Sequence, residues 1–160
     1  MRKSRVLFVC IGNSARSQMA EGWLRHLAGD RYEAFSAGTH PYPVHPLTVE
    51  VMREAGIDLG GARAKSVDDV PGHFDYVVTT CAEAEADCPA LRGHLHTHHW
   101  HIPDPVGRAA QTRDTAVQRG IFRRARDLVR KRVEDFLKHP DGRPKPDPKK
   151  SKPRRAEEER

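Results

Sequence analysis

Cys10 and Arg16, with five residues between them, stand in the run Cys10-Ile11-Gly12-Asn13-Ser14-Ala15-Arg16-Ser17. A thiolate is a nucleophile, and a guanidinium offers a planar fork that two oxygens of a tetrahedral oxyanion can share. Gly12 and Asn13 tolerate left-handed backbone. That lets a short loop curl its N–H groups, those of Ser14 and Ala15 included, around an anion. Ser17 is placed to donate a hydrogen bond to the Cys10 sulfur. The same residues also fit a plainer arrangement, a buried cysteine at a strand end and an arginine on a helix surface. The elements around them decide between the two.

Residues 6–9 are an apolar run of β-formers and read as a buried parallel strand. Residues 17–28 place apolar side chains at Met19, Ala20, Trp23, Leu24 and Leu27. That spacing is helical, with Ser17 as start signal and Gly29 as stop. The loop therefore joins a strand to a helix. Open α/β sheets bind ligands at such a place, and the helix N-terminus adds unpaired N–H groups and a positive dipole end. Further strands are expected over 32–37, 74–80 and 95–100. Helices are expected over 46–55, 82–87 and 111–137, with a proline-rich loop over 40–46. Strands alternating with helices imply an α/β fold, with a four-stranded parallel sheet flanked by helices on both faces. Trp23 and Trp100 are expected in the core, and Glu50, Arg53 and Glu54 on a solvated helix face.

Other residues could join the chemistry. Asp104 lies between Pro103 and Pro105, which fix its backbone. Such an aspartate either starts a turn or gives a proton to a leaving oxygen. Cys81 follows the strand expected over 74–80, and Cys88 follows seven residues later, before Pro89. One continuous helix would hold two residues so spaced ~10 Å apart along its axis. A disulfide needs Cα atoms within about 7 Å, so a bond between them requires that helix to unwind. His94, His96, His98, His99 and His101 form a dense cluster, and three of them would share a strand face. A polar strand near the surface accounts for them, and no metal site is expected.

Length and charge bound the rest. A chain of 160 residues suits one domain. Three cysteines is an odd count for a disulfide scaffold. The apolar run at 6–11 is too short for a secretion signal, and nothing approaches the ~20 apolar residues of a membrane span. A cytoplasmic protein without membrane attachment is expected. The net charge is +6, and nine Lys/Arg against five Asp/Glu fall between Lys138 and Arg160. The basic character belongs mainly to a Pro/Lys/Arg-rich segment over 139–160, expected to be disordered, and not to a nucleic-acid-binding face. The catalytic domain is expected over 1–138.

The Cys-x5-Arg-Ser pattern after the first strand resembles the low-molecular-weight protein tyrosine phosphatase superfamily. The run from Gly12 to Gly22, with Gln18 where the phosphatases usually carry proline, is more similar to its thioredoxin-coupled arsenate reductase branch, as is His99-Trp100-x3-Asp104-Pro105. The resemblance covers about residues 4–137. It implies a low-molecular-weight phosphatase-like fold and reduction of arsenate to arsenite. It makes Cys10 the nucleophile, Arg16 an oxyanion ligand, Asp104 the general acid, and Cys81 then Cys88 the resolving thiols, reset by thioredoxin. It calls for no cofactor, and a monomer is expected. The other readings are a phosphatase working through a Cys10 phosphoenzyme, a reductase resolved by a small thiol, and a noncatalytic anion or metal sensor. Two departures stand out. Ala15 replaces a further cysteine of many relatives. Asn13, Glu21 and Ser36 match three ligands of a potassium site, while the region where the fourth, an aspartate, would lie reads Ala64-Lys65-Ser66. A Lys65 ammonium in the place of the ion would imply weak or absent dependence on potassium.

Overall fold

The computed structural model describes residues 2–70, 72–80 and 93–142. Strands β1 (Ser4–Cys10), β2 (Tyr32–Gly38), β3 (Tyr76–Thr79) and β4 (His96–His99) form one sheet in the order β2-β1-β3-β4. All neighbouring pairs are parallel, so every strand delivers its carboxyl end to the same edge of the molecule. Central β1 is covered on both faces, which is why its sequence is apolar without alternation.

Val6 and Phe8 point to one face. There they meet Met19, Trp23 and Leu24 of α1 (Arg16–Ala28), Val51 and Met52 of α2 (Pro46–Glu54), and Phe122, Val129 and Val133 of α4 (Thr115–Lys138). Ala109 of the short helix α3 (Pro105–Ala109) joins the same cluster. Each large side chain buried there contributes roughly 1.5–3 kcal/mol. Leu7 and Val9 point to the other face, against Phe35, Phe74 and the 3-10 turn Val67–Asp69. The Arg5 guanidinium lies 4.7 Å and 4.8 Å from the centres of the Phe35 and Phe74 rings and closes that cluster. Trp23 and Trp100 are both buried. The helix expected over 82–87 lies outside the described residues.

Three local expectations change. The long helix begins at Thr115, four residues after the expected start. Asp114 caps it by accepting from the Ala116 and Val117 N–H groups. Ser17 does not cap α1; the N-cap position is Ala15, without a side-chain bond. Glu50 and Glu54 do not face only solvent. Glu50 pairs with Arg119 at 3.0 Å, and Glu54 pairs with Arg123 at 2.7 Å and Arg126 at 3.0 Å, tying α2 to α4.

After α4 the chain turns back onto the sheet. Tyr76 donates its hydroxyl to Asp141 at 3.1 Å, and a ring nitrogen of His98 lies 2.7 Å from the Pro140 carbonyl. Burial and the Asp141 bond push the Tyr76 phenol up to about 12. The segment expected to be disordered lies, from residue 143 onward, outside the described residues. Among the described residues no helix is long and apolar enough to cross a membrane.

Candidate active site

The site grows from the end of β1. Cys10 closes the strand, residues 11–15 form the loop, and α1 begins at Arg16. Asn13 adopts the left-handed conformation with φ 50°, as its place in the loop anticipates. The loop does not hold its shape alone. Thr39, His40, Tyr42 and His45 donate backbone N–H groups to the carbonyls of Cys10, Ile11, Gly12 and Ser14. The Thr48 hydroxyl adds a second bond to Ser14. Carbonyl and following N–H point opposite ways across a trans peptide. Turning these carbonyls outward therefore turns the N–H groups of Ile11, Gly12, Asn13 and Ala15 inward. Gly38 makes this bracing possible by close approach: a Cβ there would lie 2.5 Å from the Ile11 carbonyl oxygen and 2.9 Å from the Asn13 nitrogen. This brace was not foreseen from the proline-rich segment over 40–46.

The Cys10 sulfur is almost fully buried and has two polar neighbours among the described residues. The Asn13 N–H donates to it at 3.1 Å, and the Ser17 hydroxyl lies 2.8 Å away. Asn13 Nδ2 donates to Ser17 Oγ at 2.8 Å, which leaves the hydroxyl proton free for the sulfur. Both contacts stabilise negative charge on sulfur, as does the α1 dipole.

Arg16 is mostly buried. Its Nη1 donates to the Ile102 carbonyl at 2.9 Å, and its Nη2 lies 3.8 Å from Asp104 Oδ1. Asp104 is half exposed and caps α3, with Oδ1 accepting the Val106 N–H at 3.0 Å. It thus starts a turn and faces the arginine as well. Cys10, Ile11, Gly12, Ser14, Ala15, Arg16, Tyr42, Asp104 and Val106 line one pocket of about 130 Å³. That is about four water volumes at ~30 Å³ each, the scale of a single small oxyanion. Cys81 and Cys88 lie outside the described residues. Thr80, next in the chain to Cys81, is buried and donates both its N–H and its hydroxyl to Val9.

The potassium set implied by resemblance does not form. Asn13 Oδ1 is occupied by the Lys65 N–H at 2.8 Å and Gln18 Nε2 at 3.1 Å. Glu21 accepts from Ser36 at 3.2 Å and pairs with Arg25 at 3.4 Å. The Lys65 ammonium does not take the place of the ion; it donates to the Arg63 carbonyl. The fixed cation beside Glu21 is Arg25. In the histidine cluster, His99 Nδ1 is 2.8 Å from the Thr79 hydroxyl, and burial holds His98 below the usual imidazole range. Among the described residues no group of His, Cys, Asp and Glu could hold a metal ion. Gln18, fully buried beside the loop, was missed as a site residue. In the sequence it stood out as a polar residue among the apolar positions of α1 and as the residue in place of the phosphatases' usual proline, and neither sign was read as a role in the site.

A four-stranded parallel sheet carrying a Cys-x5-Arg loop into a helix defines the class. Residues 5–143 match the low molecular weight phosphotyrosine protein phosphatases, and the chain belongs to that family. Among its relatives, arsenate reductase 2 of Staphylococcus haemolyticus is 35% identical over 137 residues, covering 85% of this chain and 98% of that protein. The fold superposes on an arsenate reductase in its oxidized state with a TM-score of 0.72, at 29% identity, covering 84% of this chain and 97% of the other. A thioredoxin-dependent arsenate reductase of Corynebacterium glutamicum superposes with a TM-score of 0.65 at 29% identity, covering 85% of this chain and 61% of that one.

Proposed function

We propose that this protein reduces arsenate to arsenite through a relay of three thiols. The observation that carries the reading is the Cys10 sulfur, seated under inward-facing amides with the Ser17 hydroxyl at 2.8 Å and Arg16 lining the same small pocket. The arsenate reductase relatives support the choice of oxyanion.

The Cys10 thiolate attacks arsenic. Arg16 and the loop amides hold the remaining oxygens, and Asp104 protonates the departing oxygen, which leaves as water. The Cys81 thiolate then attacks the Cys10 sulfur. A Cys10–Cys81 disulfide forms as the sulfur–arsenic bond breaks. The electron pair of that bond goes to arsenic, which leaves as arsenite. Cys88 attacks Cys81 and frees Cys10, and a thioredoxin dithiol reduces the Cys81–Cys88 disulfide. Support for the reach of Cys81 comes from Thr80, which is fixed to β1 at Val9, one peptide step of ~3.8 Å from it. The thioredoxin-dependent neighbour supports the choice of reductant.

The family match favours a second reading. Phosphomonoester hydrolysis through a Cys10 phosphoenzyme would use Cys10, Arg16 and Asp104 in the same places, without Cys81 or Cys88. One substitution separates the two. Cys81→Ser is expected to abolish arsenate-dependent NADPH oxidation with thioredoxin and thioredoxin reductase, and to leave hydrolysis of a small aryl phosphate unchanged. Arsenate turnover at the parent rate in that variant would remove the relay.

A further inference from the structure

We infer that Gln18 is a positioning residue that fixes the direction of the hydrogen bond from Ser17 to Cys10. The inference rests on Cys10 as the nucleophile, and it adds a residue that never touches the sulfur.

Ser17 has a single hydroxyl proton, and that proton is directed at Cys10 when the other polar neighbour of its oxygen is a donor. Asn13 Nδ2 supplies that second partner at 2.8 Å. Everything then depends on which end of the Asn13 amide faces Ser17. The reverse orientation would give the hydroxyl an acceptor on Asn13, and its proton would have two places to go. Two donors forbid it. The Lys65 N–H and Gln18 Nε2 both bond Asn13 Oδ1, at 2.8 Å and 3.1 Å. A flipped amide would set its own NH2 against both.

Gln18 is itself fixed end for end. Its Nε2 lies 3.1 Å from three acceptors: Asn13 Oδ1, the Asn13 carbonyl and the Arg63 carbonyl. Turning the side chain over would put Oε1 against all three oxygens. As it stands, Oε1 is buried without a hydrogen-bond partner among the described residues. The donor end alone decides how the side chain lies. Orientation therefore passes from the 63–65 segment through Gln18 to Asn13, then to Ser17, and ends on sulfur. The sulfur is kept supplied with a proton donor, and that favours attack.

Site-resolved alkylation tests this on the full chain without arsenate turnover, so its failure is distinct from failure of the reductase reading. The full-length protein is treated with iodoacetamide across a pH series, and the Cys10 peptide is quantified by mass spectrometry. Gln18→Met keeps the volume and removes the donors. It is expected to slow Cys10 alkylation at neutral pH about fivefold and to move its half-maximal pH upward, the size expected for weakening one hydrogen bond to a charged group. In a Ser17→Ala background the same change is expected to have less than about a twofold effect, because the route runs through Ser17. Gln18→Leu, a second uncharged side chain of similar size without donors, gives an independent reading in the same direction. Equal effects in both backgrounds, an unmoved pH profile, or loss of the fold in both Gln18 variants would overturn the inference.

Discussion

Arg16 faces two ways at once. One nitrogen is committed to the Ile102 carbonyl, and the other faces Asp104. A lysine carries the charge but not the fork, so it cannot hold that anchor and two oxyanion oxygens together. Arg16→Lys is therefore expected to raise KM for arsenate and lower kcat, with kcat/KM reduced by about tenfold or more. Steady-state kinetics against arsenate would show it, and an unchanged KM would deny Arg16 its part in binding. The residues of the loop were legible because their types suit few tasks. Cys10, Asn13, Arg16 and Ser17 lie together much as their order implied. Ser17 was assigned two tasks by its sequence position, and the structure keeps the one directed at sulfur and drops the cap. Gln18 was read as a mark of the reductase branch, and its role beside the loop was not legible. Nothing in a helical repeat marks a glutamine whose buried oxygen, without a partner among the described residues, costs about 1–3 kcal/mol and is tolerated for the sake of its donor end.

Helix α2 is held to α4 by charge as well as by the apolar contacts beneath. The guanidinium groups of Arg123 and Arg126, with Arg123 the stronger, hold the Glu54 carboxyl down to about 2. Its folded value is thus depressed below the ordinary carboxylate range. The stabilisation is fully present above that range and is lost as pH falls toward about 2. Glu54 is partly exposed, so solvent screening limits the contribution to about 1 kcal/mol or less. Glu54→Gln is expected to lower the melting temperature at pH 7 by about 2–4 °C, and the gap should close as the pH is taken down. A constant gap in melting scans from pH 7 to pH 3 would show that charge is not the cause. These helix faces read as solvated in the sequence because the partners lie about seventy positions away, at Arg119, Arg123 and Arg126. Periodicity finds a helix, but it does not say what the polar side of that helix meets. The late start of α4 has a local cause, since Asp114 stops the pattern from running back to residue 111.

Across the whole molecule, parallel strands do the positioning. Cys10 and Gly38 end two of them, and Thr79 and His99 end the others, all on the edge that carries the pocket. That convergence followed from the alternation of strands and helices in the sequence, while the order β2-β1-β3-β4 needed the structure. The basic segment from residue 143 holds eight Lys/Arg and four Asp/Glu. Its removal is expected to leave kcat/KM for arsenate within about twofold, a difference of well under 1 kcal/mol, and to weaken retention on a cation exchanger. A large loss of turnover would instead make that segment part of the catalytic unit. The return of the chain after α4 adds a practical point. Asp141 is fastened to Tyr76, the partner of Val6 in the sheet, four residues upstream of Cys10 and so about 13 Å from it at ~3.3 Å per residue. A handle fused directly after Gly142, in place of the segment from residue 143, would depart from the side remote from the reactive thiol. The protein could then be tethered to an electrode or bead with its mouth open to the sample, as an immobilised arsenic detector requires.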